Sequence, residues 1–346
     1  MKQQQQNLQD DGTNVTSNRD DGLSLRSRLL SRAAPFITAK ACRPNGTVYR
    51  HLLNLVDICT PPSITPIDGV KSSDHTIDAS RKLWFRMFVP VNANSSQLPV
   101  IIYFHGGGFV LYSASTVPFD FLCRQIARSS PAIVISVNYR LAPEHKCPAQ
   151  YIDGFDLVNF IDSEIRDKVS DFPANADVRR CFLAGDSSGG NLAHHVAVRC
   201  GGFEFKEVRI RGLVMIQPFF GGERRTASEI RLGVGPRLQK TDFFWKAFLP
   251  NGADRDHPAS NVFGPGSSEE DIISFSGIEY PATLVVIGGL DLLQDRQRSY
   301  VNGLKRSGKQ VELVEYPDAD HGFCCAAQCP EYDMLIGKVS EFVQNH

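Results

Sequence analysis

Residues 181–190 read Cys-Phe-Leu-Ala-Gly-Asp-Ser-Ser-Gly-Gly, and residues 191–198 continue Asn-Leu-Ala-His-His-Val-Ala-Val. The first four form an apolar run of strand composition and the last eight have helical composition, with a serine flanked by glycines between them. Strand, tight turn and helix in that order make a nucleophile elbow, Gly-x-Ser-x-Gly. The serine of such a turn occupies cramped backbone, so the residues two positions away must lack side chains. Gly185 and Gly189 meet that need, and Ser187 becomes the candidate nucleophile. The helix behind it turns its free N–H groups toward the serine, where they favour developing negative charge. Taken alone, the stretch also suits a plain connection or a phosphate cradle. No Gly-Lys-Ser/Thr ending and no Gly-x-Gly-x-x-Gly stands at this junction, which counts against nucleotide binding.

Outward from the elbow, apolar strands and helices alternate. Strands are expected at Lys82–Val89, Pro99–Phe104, Ala132–Asn138, Gly212–Gln217, Thr283–Ile287 and Gln310–Tyr316, and one at Val48–Asp57. Helices are expected at Phe119–Arg128, Tyr151–Ile165, Arg237–Leu249, Arg296–Arg306 and Tyr332–Val343. Residues between about 57 and 82 read as a loop rich in proline, aspartate and serine. Continuous apolar strands alternating with helices imply an α/β fold with a mostly parallel sheet covered on both faces. In such folds ligands bind beyond the carboxyl ends of the strands, which is where the elbow lies. The rhythm breaks from about 219 to 265.

Composition narrows the function. The chain has 346 residues, 42% apolar and 22% charged, with a formal charge of −1. That balance argues against nucleic acid or an anionic membrane as the main partner, and no apolar run is long enough to span a bilayer. Residues 1–22 are rich in glutamine, asparagine and aspartate, a composition that predicts disorder. Residues 23–44 carry Leu25, Leu29, Leu30 and Ala33 at helical spacing, suiting a lid segment. With no apolar signal segment at the N-terminus, a cytoplasmic or nuclear location is expected, so Asn14, Asn45 and Asn94 carry little weight as glycosylation sites. Nine cysteines at irregular spacing predict reduced, mostly buried thiols rather than a disulfide or zinc framework.

A serine hydroxyl becomes nucleophilic when a histidine takes its proton, and that histidine needs a carboxylate to fix its tautomer. Strand Thr283–Ile287 ends in Gly288-Gly289-Leu290-Asp291, and strand Gln310–Tyr316 ends in Pro317-Asp318-Ala319-Asp320-His321-Gly322-Phe323. Asp291 and His321 thus stand at late strand ends as candidate acid and base, although Asp291 could equally cap the next helix. After strand Pro99–Phe104 comes His105-Gly106-Gly107-Gly108-Phe109. The N–H groups of Gly107 and Gly108, with that of Ser188, suit an oxyanion hole. His105, Gly106, Gly185, Asp186 and Gly189 are read as loop support, and His194 and His195 on the elbow helix as structural.

Together, His105-Gly-Gly-Gly, Tyr139-Arg-Leu-Ala-Pro-Glu144, Gly185-Asp-Ser-Ser-Gly-Gly190, Gly289-Leu-Asp291 and Asp320-His-Gly-Phe323 resemble the plant carboxylesterases of the hormone-sensitive-lipase branch of the α/β-hydrolases. Phe219-Phe-Gly-Gly-Glu-Arg224 and Leu249-Pro-Asn-Gly-Ala253 are also similar to the plant subgroup. The resemblance covers residues 45–346. It implies an eight-stranded sheet, a Ser187–Asp291–His321 triad and a cap built from the N-terminal segment and residues of about 219–265. It also implies a small-molecule ester substrate and no cofactor or metal. Aromatics in the implied cap (Phe219, Phe220, Phe243, Phe244, Trp245 and Phe248) are expected mostly to pack it. The same subgroup contains gibberellin receptors, which lack the histidine, so a small-molecule binding protein with little turnover is the alternative, and a small-amide hydrolase a further one. Neither substrate identity nor oligomeric state follows from the residues.

Overall fold

The computed structural model describes residues 33–34, 36–91, 97–264, 269–325 and 329–346. The expected polar tail 1–22 and half of the expected lid segment 23–44 lie outside the described residues. Residues 36–41 are helical.

Strand β3 (Leu98–Phe104) shows why the sheet forms. All seven residues are buried, and each large aliphatic side chain among them contributes roughly 1.5–3 kcal/mol on leaving water. It lies between β4 (Ile133–Asn138) and β5 (Ala176–Asp186), parallel to both. The other strands are β1 (Val70–Asp78), β2 (Leu83–Pro90), β6 (Ile210–Ile216), β7 (Ala282–Gly288) and β8 (Val311–Tyr316). Eight strands run in the order β1-β2-β4-β3-β5-β6-β7-β8. Among the eight strands of the described residues, β1 with β2 and β2 with β4 pair antiparallel; β4, β3, β5, β6, β7 and β8 form a parallel block.

Alternate side chains along each parallel strand enter different cores. Ile101, Tyr103, Phe182, Ala184, Val214 and Val286 meet the helices Val117–Ser129 and Pro330–Asn345 on one face. Val100, Ile102, Leu183, Leu213, Val285 and Ile287 meet Ala149–Ser163, Ser188–Cys200 and Gln294–Arg306 on the other. Strands buried on both faces read as continuous apolar runs, so the parallel block was visible in the sequence.

Two local readings are corrected. Residues Arg50–Val56 form a helix, not a strand. Arg-His-Leu-Leu-Asn-Leu-Val lacks the strict alternation of a half-buried strand, and of its apolar residues only Leu53 is buried, so it coils over the surface instead of entering the sheet. The stretch read as a loop contains β1, whose burial alternates and whose Lys71, Asp74 and Thr76 face water at the sheet edge. All nine cysteines are free. Cys123, Cys181, Cys200 and Cys324 are buried, while Cys59 is exposed and the other four lie between.

Between β6 and β7 the chain leaves the sheet and forms the helices Ala227–Leu232, Pro236–Phe248 and Glu269–Ser276. The first is closed by a Thr226–Glu229 capping box, which satisfies two otherwise orphaned N–H groups. Glu229 also receives the buried Arg296 guanidinium (Nη2–Oε2 3.0 Å), and the same Nη2 donates to the carbonyls of Gly222 and Arg224. The insertion is thereby tied to the helix that follows β7. Phe219, Phe220, Phe243, Phe244, Trp245 and Phe248 are all buried. Phe219 stacks on Trp245, and Phe248 on Phe109 of the glycine loop. Among the described residues no helix is long and apolar enough to cross a membrane.

Candidate active site

The elbow forms at the carboxyl end of β5, in the middle of the sheet. Ser187 is forced to φ 51° and ψ −119°, a region that costs a side-chain-bearing residue on the order of 1–3 kcal/mol. Surrounding structure holds it there. Its N–H donates to the Ile216 carbonyl at 2.9 Å, and its own carbonyl accepts from Phe219 N at 2.8 Å. A Cβ at Gly189 would run into the Phe104 carbonyl, and one at Gly185 into the Gly189 backbone, so close approach demands both glycines.

The turn aims the serine outward at His321. Ser187 Oγ lies 3.0 Å from His321 Nε2, and His321 Nδ1 lies 2.8 Å from Asp291 Oδ2. Asp291 is fully buried, and every described contact to its carboxylate is a donor. Leu293 N donates to Oδ1 at 2.9 Å, and Gln297 Nε2 and Gln217 Nε2 donate to Oδ2 at 2.9 and 3.3 Å. The Leu293 bond closes a turn ahead of the helix Gln294–Arg306, whose N-cap is Leu293 with no side-chain cap bond, so the carboxylate orients the histidine and does not cap the helix. Burial by itself pulls the His321 imidazole down, but the Asp291 charge and hydrogen bond outweigh it and raise its pKa above the ordinary value. Its side chain keeps 32% exposure, so water tempers the desolvation.

Across the cleft, Gly107 and Gly108 adopt φ values of 112° and 64°. Among the described residues their N–H groups donate to no carbonyl. Ser188 N is the first amide of the elbow helix and has no partner within the helix. The glycine loop is held close to the elbow, since a Cβ at Gly189 would meet the carbonyls of Phe104 and His105. Gly106 N, by contrast, is engaged by Asp186 Oδ1 at 2.8 Å, and the same oxygen accepts from Tyr103 OH at 2.5 Å. Burial pushes the Asp186 carboxyl up to about 6, against the lowering effect of these bonds. His105 is buried and stacked on Tyr139 at 4.4 Å, with Nδ1 2.8 Å from the Gly106 carbonyl. Burial lowers it to about 4, so it stays neutral and braces the loop. His194 is likewise bound internally, between Tyr280 OH and Tyr300 OH at 2.8 and 2.9 Å.

Three supporting residues escaped the sequence reading. Gln217, left-handed at φ 46°, joins the acid loop to the histidine loop: its Nε2 donates to Asp291 Oδ2 and to the Asp320 carbonyl (3.1 Å), and its Oε1 accepts from Gly322 N (2.8 Å). Arg50, on the helix misread as a strand, donates to the carbonyls of Val110 and Ala142 and pairs with Glu144, which ties the glycine loop to the Tyr139–Glu144 segment. Arg237 of the insertion meets Asp320 beside the histidine at 2.6 Å. Only Gln217 carried a usable signal, its place at the end of a parallel strand.

Comparison with known proteins bears on the family and the fold. Residues 101–325 match the alpha/beta hydrolase fold family. A gibberellin receptor of Arabidopsis thaliana is 38% identical over 87% of this chain and 88% of its own length. A carboxylesterase of the same plant is 37% identical over 80% and 86%, and a 3-O-acetylpapaveroxine carboxylesterase of Papaver somniferum is 35% identical over 82% and 93%. Among solved structures, an α/β hydrolase enzyme from the metagenome of Lake Arreo, Spain, superposes with a TM-score of 0.70 at 27% identity, covering 94% of this chain and 98% of that one. An esterase of Pyrobaculum calidifontis gives 0.67 at 25% identity, over 91% and 92%.

Proposed function

The chain belongs to the α/β-hydrolase fold family, and from that premise we propose that it is a serine carboxylesterase acting on small-molecule esters. The observation that carries the reading is the unbroken relay from Ser187 Oγ through His321 to Asp291, at 3.0 and 2.8 Å. Carboxylesterases among the relatives support it.

Ser187 Oγ attacks the ester carbonyl while His321 Nε2 takes its proton. Asp291 holds the imidazole with Nδ1–H facing inward and stabilises the imidazolium that forms. The carbonyl oxygen, now negative, accepts from Gly107, Gly108 and Ser188 N–H, donors that need no reorganisation as charge develops. When the tetrahedral species collapses, the imidazolium returns the proton to the departing alkoxide and leaves an acyl-serine. Water, deprotonated by the same histidine, then attacks the acyl carbon. A second tetrahedral species releases the acid and restores Ser187. No step draws on a cofactor. The insertion between β6 and β7 acts as the cap over this centre and sets which esters enter.

Hydrolysis of p-nitrophenyl esters from acetate to decanoate tests the assignment. Ser187→Ala and His321→Ala should each lose activity by about ten-thousand-fold, and near-normal turnover by either variant would refute it.

A second reading rests on the gibberellin receptors among the relatives: a binding protein in which the relay turns over little. It requires saturable ligand binding with no acyl-serine formed, so a covalent adduct with a fluorophosphonate probe at Ser187 separates the two.

A further inference from the structure

Helix Pro236–Phe248 spans the candidate active site from one side to the other. Near its start Arg237 binds Asp320, the residue before His321. Two turns on, the Phe244 ring lies against Gly108 of the oxyanion loop, so closely that a Cβ there would collide with it. Between these two anchors stands Lys240, its Nζ 5.7 Å from the centre of the Phe244 ring. Its charge acts on the His321 imidazole across the cleft and on the Cys42 thiol of the N-terminal segment. Carried on the helix between the Asp320 anchor and the ring that lies against Gly108, this cation stands between the histidine loop and the oxyanion loop.

The other cations of the helix are occupied. Arg237 holds Asp320, and Lys246 Nζ donates to the Pro44 carbonyl at 3.0 Å. Among the described residues no carboxylate lies within ion-pair distance of Lys240. Its side chain reaches water, yet the protein around it lowers its pKa by desolvation. An unpaired positive charge beside a histidine that must become positive opposes catalysis, because like charges disfavour the imidazolium. An anion brought by the substrate removes that penalty and gains a charge-assisted contact.

We propose that Lys240 receives a carboxylate of the substrate, so that the preferred substrates are esters carrying a free carboxylate within reach of the scissile bond. The inference deepens the esterase reading and rests on it. The acyl and alcohol sides both border the helix, and the test separates them.

For the acyl side, kcat/KM is compared between p-nitrophenyl hydrogen glutarate and p-nitrophenyl pentanoate. For the alcohol side, the pair is 3-carboxyphenyl acetate and phenyl acetate. In at least one pair the ratio of charged to neutral ester should fall about tenfold in Lys240→Met, fall further in Lys240→Glu and survive in Lys240→Arg. Added salt should lower the wild-type ratio as well, since the contact is open to solvent. Equal ratios in wild type and all three variants, in both pairs, overturn the inference while leaving the esterase intact. Failure of the wild type to hydrolyse any of the four esters overturns the esterase reading, and this one with it.

Discussion

Asp291→Asn is the sharpest perturbation of the relay, because it changes one oxygen for one nitrogen and nothing in volume. In the native site both carboxylate oxygens face donors: Leu293 N on one, and His321 Nδ1, Gln297 Nε2 and Gln217 Nε2 on the other. An amide cannot satisfy that arrangement in either orientation. With NH2 toward the histidine, the ring is driven to the tautomer that carries its proton on Nε2 and cannot take one from Ser187. With NH2 toward Leu293, a buried N–H faces another, which costs about 1–3 kcal/mol of stability. Replacing a triad carboxylate by its amide lowers kcat by about ten-thousand-fold, some 5.5 kcal/mol at 1.36 kcal/mol per decade. The assay is kcat on p-nitrophenyl acetate beside a thermal unfolding curve. The protein should stay folded with a lowered midpoint while kcat collapses. A variant within tenfold of wild type would show that Asp291 does not orient the base, and the relay would have to be abandoned.

Three further outcomes follow from the same geometry. His321 must be neutral to accept a proton, and Asp291 raises its pKa against the opposing effect of burial, so kcat/KM should fall as pH drops through a midpoint above the ordinary histidine value of about 6.5; a midpoint at or below that value contradicts the ion pair. Gly108→Ala puts a side chain at φ 64° against the Phe244 ring and should displace an oxyanion donor, lowering kcat by about a hundred- to a thousand-fold; kcat within threefold of wild type removes Gly108 from that role. Gln217→Met keeps the volume but leaves Gly322 N and the Asp320 carbonyl without their partner; kcat should drop about tenfold to a hundredfold with KM little changed, and an unaltered kcat means the two loops hold themselves.

How much of the fold can be read from residues depends on what buries each element. Strands β3 to β7 are covered on both faces, and their unbroken apolar runs announce them. Strand β1, Val-Lys-Ser-Ser-Asp-His-Thr-Ile-Asp, pairs on one side only. Its polar residues are what an edge strand needs to stay soluble, and they also make it read as loop. Arg50–Val56 was misread for the converse reason: four aliphatic residues in seven suggest a strand, while their exposure depends on neighbours far along the chain. The aromatics of the insertion were expected mostly to pack together, and they do, because stacks such as Phe219 on Trp245 follow from composition more than from position.

The site divides along a similar line. In a parallel sheet every strand delivers the residue after its carboxyl end to the same rim. In spatial order β3, β5, β6, β7 and β8 deliver His105, Ser187, Gln217, the loop to Asp291, and the loop to His321. Four of those five were found because serine, aspartate, histidine and a glycine run announce chemistry by type. Gln217 was passed over because glutamine announces none, although β6 lies between the strands of the nucleophile and the acid. A strand end in that slot reaches both loops whatever residue it bears. A side chain with one donor and one acceptor is then what can bond a carboxylate and a backbone carbonyl through one atom and a backbone N–H through the other, as Gln217 does. Arg50, Arg237 and Lys240 had no such route to recognition, since each reaches the site from an element outside the sheet and its role exists only once that element has docked. The row of strand ends thus lays out the candidate chemistry, and in the proposed esterase the docked elements around it would decide which molecules meet it.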